Sequence, residues 1–279
     1  MSTAPTSRPA RRHTYEKLGW MPFFLCHFVW LGVFFSGIDA TSVVVFLVFY
    51  WGRMFAVTAG YHRYFAHRSF ETSRWFQFLL AFCAVTSIER GPLWWAAHHR
   101  AHHLHSDTER DLHSPRHDGF LHAHIGWFFS GNADTDWDRI QDFAQYPELR
   151  LLDRHPFIVP TVVSGGILLL CGLPSFFFGW SLSSLFVWHG TFLVNSLAHV
   201  AGTRRYDTND DSRNNLFIAL VTCGEGWHNN HHRAMNAGRM GHRWWEVDFT
   251  FYGLWVLEKL GLIWNLKRVP ARVIAEGRA

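Results

Sequence analysis

Three short clusters of histidine stand out in this sequence of 279 residues, which contains 20 His in all. Neutral imidazole is the commonest metal ligand among protein side chains, so this number indicates metal binding. The clusters are HRYFAH (62–67), HRAHH (99–103) and HNNHH (228–232). In the second and third clusters, spacings of three and four residues place the imidazoles on one face of a helix. Both clusters therefore predict convergent metal ligands.

The first cluster is less regular than the other two. His62 and His67 are five residues apart, too far round an ideal helix to align well. They can converge if the helix ends or loosens between them. A further polar pair, Asn195 and His199, lies one helical turn apart at the end of an apolar segment. We count this pair with the three clusters as a fourth group.

The clusters together with His199 supply nine histidines, about the number that two metal ions with open positions would need. A structural zinc site would need only about four ligands. An all-imidazole shell suits iron, copper, nickel or zinc, so these residues alone do not identify the metal. The four cysteines are isolated in the sequence, which argues against a disulfide framework or a cysteine-based zinc site.

Other residues near the clusters have weaker assignments. His98 could replace His99 in a shifted register with His102, but His99 reproduces the spacing of the third cluster. Ligating histidines normally donate their second ring N–H to a carboxylate or a carbonyl group. The carboxylates near the clusters are Glu71, Asp107, Glu109, Asp111 and Glu225, of which Glu225 is the best candidate. We interpret His13, His27, His155, His189 and His242 as structural, whereas His105, His113, His117, His122 and His124 are ambiguous.

The elements that must position these residues include four apolar segments long enough to span a bilayer, which takes about 17–25 residues. They cover about 20–38, 41–60, 157–178 and 182–200. Short loops join the first segment to the second and the third to the fourth, so the four segments form two helical hairpins. These loops contain no Lys or Arg, whereas the N-terminal and middle segments are rich in Arg, which places both termini in the cytoplasm. All four histidine groups then lie on one side of the membrane and can meet.

The sequence therefore predicts an all-α integral membrane protein with four transmembrane helices in two hairpins and a cytoplasmic helical cap that holds the histidines. We expect a basic cytoplasmic tail at 1–19 and a single domain at 20–279, with the cap formed by 61–156 and 201–279. Glu89 and Arg90 interrupt the apolar stretch at 75–97, which favours an interfacial or re-entrant helix. The Trp-rich stretch at 244–264 has a similar amphipathic character.

At these residues the chain resembles the membrane fatty acid desaturases, specifically the acyl-CoA (stearoyl-CoA) Δ9 branch and its bacterial acyl-lipid relatives. The similar strings are TAGYHRYFAHRSF (58–70), HRAHHLHSDTERDLHSP (99–115), HIGW (124–127), NSLAHVAGTRRYDTNDDSRNN (195–215) and GEGWHNNHH (224–232). The resemblance covers nearly the whole chain after about residue 15. Leu112 departs from the family, which often has Pro there, and this change should alter loop stiffness rather than ligation.

The resemblance implies a ligand set for two iron ions, with Asn195 holding a water on one of them. The implied ligands are His62, His67, His99, His102, His103, His199, His228, His231 and His232. The implied reaction uses O2 and two electrons to insert a cis Δ9 double bond into a long saturated acyl chain carried on CoA, acyl carrier protein or a lipid. As a hypothesis, Tyr50 and Met54 close the far end of the acyl tunnel, although ordinary packing explains them equally well.

The electrons must come from a separate donor such as ferredoxin or a cytochrome b5-like protein. The sequence has neither an HPGG haem-binding string nor clustered cysteines for an iron–sulfur centre. We expect contact with membrane lipid, no nucleic-acid partner, and a bacterial inner-membrane location with a cytoplasmic active site. The alternative is a di-iron membrane hydroxylase of an alkane, sterol or carotenoid. A metal transporter fits less well, because it would place ionisable ligands along the spans.

Overall fold

The computed structural model describes residues 20–130 and 134–277, and these are mostly helical. The predicted tail at 1–19 lies outside the described residues. The α-helices are Trp20–Val29, Val33–Ser36, Ala40–Phe55, Arg74–Val85, Pro92–His105, Pro115–Asp118, Phe120–His124, Gln141–Ala144, Pro147–Arg154, Ile158–Pro174, Ser183–Asn195, Leu216–Val221, His228–Arg233, Phe249–Lys259 and Ala271–Glu276. π-Helical segments occupy Ala56–Ala66 and Ser175–Leu182, and 3-10 turns occupy Trp30–Gly32, Gly126–Phe129, Trp137–Arg139 and Leu197–His199.

The first helical hairpin reverses at a short polar joint. Gly37 adopts φ 74°, a backbone conformation that glycine reaches without a steric penalty. Asp39 then caps the next helix, since its side chain accepts a hydrogen bond from the backbone N–H of Ser42 at 2.7 Å. The Ser42 hydroxyl accepts in return from the backbone N–H of Asp39 at 3.0 Å, which completes a capping box. The sequence Gly-Ile-Asp therefore ends one helix and starts the next.

The second hairpin reverses at Gly172, which has φ 80° and ψ −179° inside an otherwise helical stretch. Pro174 follows and fits the first turn of the new helix, where its missing N–H is not needed. Pro160 and Thr161 before this joint line one cavity together with Trp180 and Ser184 after it, so the two legs run near each other. The expected boundary between 178 and 182 was therefore too late, because Ser175–Leu182 continues as a π-helix instead of forming a loop.

Aromatic contacts and close backbone approaches pack the two hairpins against each other. Phe23 stacks on Trp188 with ring centroids 5.2 Å apart. Gly179 lies so close to Val45 that a Cβ atom there would come within 2.6 Å of a valine methyl group. The buried Arg53 guanidinium donates hydrogen bonds to the hydroxyls of Ser183 and Ser184, which ties the Ala40–Phe55 helix to the last leg.

Two helices in the described part of the chain are long and apolar enough to cross a membrane. They are the continuous helical stretches Ala40–Ala66, of 27 residues, and Ile158–His199, of 42 residues. Many of their large apolar side chains face outwards, including Leu169 and Leu170, which are 85% and 87% exposed. Solvent-facing surface of this composition would be unfavourable in water, so these faces are suited to lipid.

The cap differs from the expected all-helical arrangement in two places. Glu71–Thr72 pairs with Ile263–Trp264 as a short antiparallel strand pair, which was not predicted. Two-residue strands leave almost no periodic pattern in a sequence, which explains why they were missed. The apolar stretch at 75–97 is not one helix, because it breaks between Val85 and Pro92 around Glu89.

Candidate metal centre

A π-helical segment brings the first two histidines together. The backbone N–H of His67 donates to the carbonyl of His62 at 3.1 Å, which is the i to i−5 bond of a π-turn. This wider winding returns residues five apart to the same side of the helix. The two rings lie 4.7 Å apart between centroids. The helix therefore loosens between His62 and His67 in the way that their convergence required.

The second and third clusters each divide their imidazoles between two neighbouring groups. In the Pro92–His105 helix, His99 and His103 point to one group and His102 points to the other. In the His228–Arg233 helix, His231 joins the first group, whereas His228 and His232 join the second. The short helix that contains the third cluster thus faces the second cluster, and each helix contributes to both groups.

The first group contains five histidines, whose ligand atoms all lie within 4.8 Å of one another: His62, His67, His99, His103 and His231. Their Nε2 atoms face a common point. The Nε2 atom of His99 is 2.9 Å from that of His67 and 2.9 Å from that of His103. The Nε2 atom of His231 is 3.0 Å from that of His103 and 3.1 Å from that of His62.

The second group contains four buried histidines: His102, His199, His228 and His232. The Nε2 atoms of His199 and His228 are 3.0 Å apart. The Nε2 atoms of His102 and His232 are buried, and neither has a hydrogen-bond partner within the described part of the chain. All nine histidines that the sequence singled out therefore lie in these two groups, and the two groups meet at His103 and His232, whose rings are 4.5 Å apart.

Four of these nine imidazoles donate a hydrogen bond from the outer ring nitrogen to a carboxylate. The Nδ1–H of His102 donates to Asp111 at 2.9 Å, that of His199 to Asp107 at 2.7 Å, and that of His232 to Asp210 at 2.6 Å. His62 donates to Glu225 in the same way. Each contact puts the proton on Nδ1 and leaves the Nε2 lone pair directed into its group, which is the tautomer that a metal ligand needs.

Three of these carboxylates were candidates in the sequence, and Asp210 was missed. The sequence YDTNDDS offers three aspartates 17 to 21 residues before the third cluster, and no helical spacing relates them to it. The acidic string next to a predicted ligand segment was the only signal. Of the other candidates, Glu71 accepts a hydrogen bond from the Trp264 indole at 3.1 Å, and Glu109 is exposed.

Burial and the paired carboxylates together set the charge state of the centre. Burial lowers the pKa of His67, His99, His103, His228 and His231 well below the usual value for imidazole, and the neighbouring histidines lower it further. For His102, burial lowers the imidazole pKa, but the Asp111 carboxylate outweighs burial and raises it. For Asp107, Asp111 and Asp210, burial opposes ionisation, but the bonded histidines outweigh it and keep each carboxyl pKa below its usual range. Neutral imidazoles backed by carboxylates are the form that binds cations.

The spacing of the nitrogens fits a metal ion in each group. Imidazole nitrogens about 2.1 Å from an ion and at right angles to each other would be separated by about 3.0 Å. The observed Nε2 separations of 2.9–3.1 Å match that value. Without an ion, unprotonated nitrogens at this distance would face each other with their lone pairs, which is unfavourable. The residues present therefore fit two bound metal ions.

Two further residues that the sequence singled out, Asn195 and His98, line an aromatic cavity beside the first group. Asn195 lines this cavity together with His99, so it faces the centre without belonging to either group. His98 also lines it, but its Nδ1–H donates to the Trp94 carbonyl at 2.8 Å, and His99 occupies the position in the group. The other lining residues are Glu89, Trp94, Trp95, His113, Trp127, Phe128, Thr191 and Phe192.

Tyr50 and Met54 lie in a separate buried cluster with Val187 and Cys223. The Tyr50 hydroxyl donates to the Val221 carbonyl at 2.6 Å. Met54 is 1% exposed and packs beside Gly190, where its terminal methyl leaves no room for a Cβ atom. Both residues lie on the helix that leads to His62, and they pack against the last helical leg.

Comparisons with known proteins identify the family of this chain. The family model for the fatty acid desaturases matches residues 39–265. The sn-1 stearoyl-lipid 9-desaturase of Anabaena variabilis is 37% identical over 264 residues, covering 91% of this chain and 96% of the relative. The sn-2 palmitoyl-lipid 9-desaturase of a Nostoc species is 33% identical over 253 residues, covering 88% of each chain. An acyl-CoA 5-desaturase of Anemone leveillei is 36% identical over 225 residues, covering 79% of this chain and 69% of the relative.

Proposed function

This chain belongs to the fatty acid desaturase family and is a fatty acyl desaturase, and we propose that it inserts a cis Δ9 double bond into a long saturated acyl chain at a two-iron centre. The observation that carries the proposal is the convergence of nine histidines in two adjacent groups. The similar 9-desaturases from Anabaena and Nostoc support the position of attack. The hydroxylase alternative has no comparable support.

The proposed ligands of the two irons are the nine histidines, and Asn195 would hold a water on one of them. Two irons bound there would supply, with O2, the oxidant that removes two hydrogens from unactivated carbons. The protein's own contribution would be to position the chain beside the aromatic cavity and to exclude water from the oxidant. Trp95 stacks on His99 with centroids 4.9 Å apart, so the cavity wall directly adjoins the first histidine group.

Tyr50 and Met54 are proposed to close the far end of the acyl tunnel, on the basis of their position along the helix that carries His62. Shortening Met54 to Ala should then lengthen the preferred product chain. Unchanged chain length in the product profile of Met54→Ala would contradict this role.

The protein is proposed to lie in a bacterial inner membrane as a single domain, with four spans and with both termini and the centre in the cytoplasm. The two reversals at Gly37 and Gly172 support four spans, since each divides an apolar stretch into two legs. A separate donor, ferredoxin or a cytochrome b5-like protein, would supply the electrons. Lipid-linked chains are the favoured substrate, because the two relatives matched over most of both chains are named for them.

Expression in a desaturase-deficient host tests the proposal. We expect monounsaturated chains with the bond at C9, recovered mainly in glycerolipids and located by gas chromatography and mass spectrometry of suitable derivatives. His155→Ala is the matched control, because His155 is exposed and lies outside both groups, and it should retain the product. Hydroxylated chains, or an unchanged product profile with His231→Ala, would contradict the proposal.

A further inference from the structure

A buried carboxyl group, Glu89, lies in the wall of the aromatic cavity beside the histidine centre. Its exposed fraction is 4%. Among the described residues that line this cavity, Glu89 is the only one with a carboxyl group, and it shares the lining with His99 and Asn195. A charged group next to an apolar chain would be strongly disfavoured, and binding of such a chain does not need one. The position of Glu89 therefore requires an explanation.

The hydrogen bonds around Glu89 can accommodate a protonated carboxyl. The Trp95 indole N–H donates to one carboxyl oxygen at 3.2 Å. The Thr191 hydroxyl lies 3.0 Å from the other oxygen and also 3.0 Å from the Val187 carbonyl, to which it can donate within its own helix. A hydroxyl has one hydrogen, so it cannot donate to both. When the hydroxyl donates to Val187, its contact with Glu89 is a hydrogen bond only if the carboxyl carries a proton and donates it to Thr191.

The surroundings of Glu89 favour the same state. Burial raises its pKa to about 7, against the opposing effects of the Trp95 and Thr191 hydrogen bonds and of the Arg53 cation. The other titratable groups that face this region are Tyr61, His98, His99 and His113. Burial lowers the pKa of His98, and that of His113 to about 3, so both titrate on the acid side of Glu89.

The backbone on both sides of Glu89 is strained. Ile88 has φ 65° and Arg90 has φ 71°, which are uncommon for residues other than glycine and especially for a β-branched one. Side chains from elsewhere hold the segment in place, since the Trp188 indole donates to the Ser87 carbonyl at 2.7 Å and the Tyr61 hydroxyl to the Arg90 carbonyl at 2.8 Å. Strain maintained in this way is found preferentially at functional sites.

The proposed reaction has a need that a protonated carboxyl in this cavity can meet. Reduction of O2 to two waters takes four electrons and four protons. The acyl chain supplies two of each as it loses two hydrogens, and the external donor supplies the other two electrons. The remaining two protons must come from solvent into a cavity that is walled mostly by aromatic rings and imidazoles.

We propose that Glu89 delivers these two protons, one at a time, as the general acid of the oxygen-reducing half of the reaction. This inference rests on the proposed desaturase function. The carboxyl O–H bond breaks, its proton goes to an oxygen atom that leaves as water, and the carboxylate regains a proton from solvent before the next transfer. Thr191 and Trp95 are positioning residues, because they fix the orientation of the acid.

The decisive variant is Glu89→Gln, which keeps the size of the side chain and its bonds to Trp95 and Thr191 but has no acidic proton. Purified enzyme with metal bound should be assayed with its electron donor at pH values on either side of 7. General acid catalysis typically contributes about 10²–10⁴-fold, so turnover should fall by at least about 100-fold. Iron content and affinity for the acyl substrate should stay at the wild-type values.

A matched control is Glu71→Gln. Glu71 also accepts a hydrogen bond from a tryptophan indole, but it is exposed and does not line the cavity. It should keep wild-type turnover. Turnover of Glu89→Gln within about twofold of the wild type would overturn the proposal. A loss of turnover that follows lost iron or lost substrate affinity would also overturn it, because Glu89 would then be structural.

Infrared difference spectroscopy tests the protonation state without any turnover. The wild type should show the carbonyl stretch of a neutral carboxylic acid that disappears as the pH rises through about 7. The band should be absent from Glu89→Gln and present in Glu71→Gln. The same band in all three proteins would contradict a protonated Glu89. This readout separates failure of the inference from failure of the proposed function, since a protein that makes no double bond would still show the band.

Discussion

At the scale of single residues, the centre depends on pairs in which a carboxylate holds the outer nitrogen of an imidazole. A carboxylate on Nδ1 fixes the ring orientation and the tautomer, and it raises the basicity of the nitrogen that faces the ion. His232 receives this support from Asp210, which also accepts hydrogen bonds from Ser212 and Thr208. Asp210 should therefore contribute to metal affinity although it does not itself face either group.

Replacing Asp210 with Asn tests that contribution. The amide would no longer stabilise the bound form of His232, so we expect metal affinity to fall by about 10–100-fold, as is typical for such partners. Chelator competition on the purified protein measures the change. Asp211→Asn is the control, because the Asp211 side chain pairs with the surface residue Arg116 and should leave metal affinity unchanged. Equal affinities for Asp210→Asn and the wild type would contradict this account.

The nine histidines could be predicted from two kinds of signal. Helical spacing relates residues within one cluster, and membrane topology follows from the order of the apolar segments along the chain. Asp210 could not be predicted in this way. It reaches His232 through a loop whose path is set by tertiary contacts, including the amide of Asn229 with the carbonyl of Tyr206 at 3.1 Å. Glu225 was a candidate because it lies three residues before His228 in sequence, but the imidazole that it pairs with is His62 of the first cluster.

At the scale of elements, two local deviations from the α-helix determine where the histidines lie. The π-helical winding of Ala56–Ala66 aligns His62 with His67, and the positive φ of Gly172 turns the second apolar stretch back on itself. The five-residue spacing of His62 and His67 already indicated that the helix must loosen between them. The position of the second turn was predicted about six residues too late, because apolar π-helical residues have the same composition as a span.

Replacing Gly172 with Ala tests the role of the reversal. A Cβ atom there would contact only Pro174 at 3.8 Å, so space is sufficient, but φ 80° is unfavourable for any residue with a side chain. We expect a loss of about 1–2 kcal/mol in stability. Thermal unfolding in detergent should show a lower midpoint.

Gly166→Ala is the matched control for that substitution. Gly166 lies in the same helix without a positive φ, and no heavy atom lies within 4 Å of its added Cβ. Alanine should be neutral or stabilising there, by about 0.5–1 kcal/mol at most. If both variants unfold at the wild-type temperature, the reversal at Gly172 does not constrain the fold.

At the scale of the whole molecule, apolar outer faces and the histidine cap lie at different ends of the same helices. The Ala40–Ala66 stretch is exposed and apolar near Val44 and Val48, and wholly buried from Ala56 onwards. Exposed tryptophans of the cap, including Trp244 and Trp245, suit a membrane interface. The separation of these faces was predictable, since it follows from composition alone.

The proposed topology can be measured with reporter fusions at the C-terminus. A cytoplasmic C-terminus should make a green fluorescent protein fusion fluorescent and an alkaline phosphatase fusion inactive. Four spans require the same result for fusions within the cap after Arg154, and the opposite result for fusions at Gly37 or Gly172. Active phosphatase at the C-terminus would contradict the proposed topology, in either its orientation or its even number of spans.

Metal analysis of the purified wild-type protein tests the central claim most directly. Two adjacent groups of five and four histidines should hold two ions, so inductively coupled plasma mass spectrometry on active protein should give about two irons per chain. His231→Ala should lower that number, whereas His155→Ala should not. Active protein with one metal ion per chain or none, or with zinc in place of iron, would contradict the account.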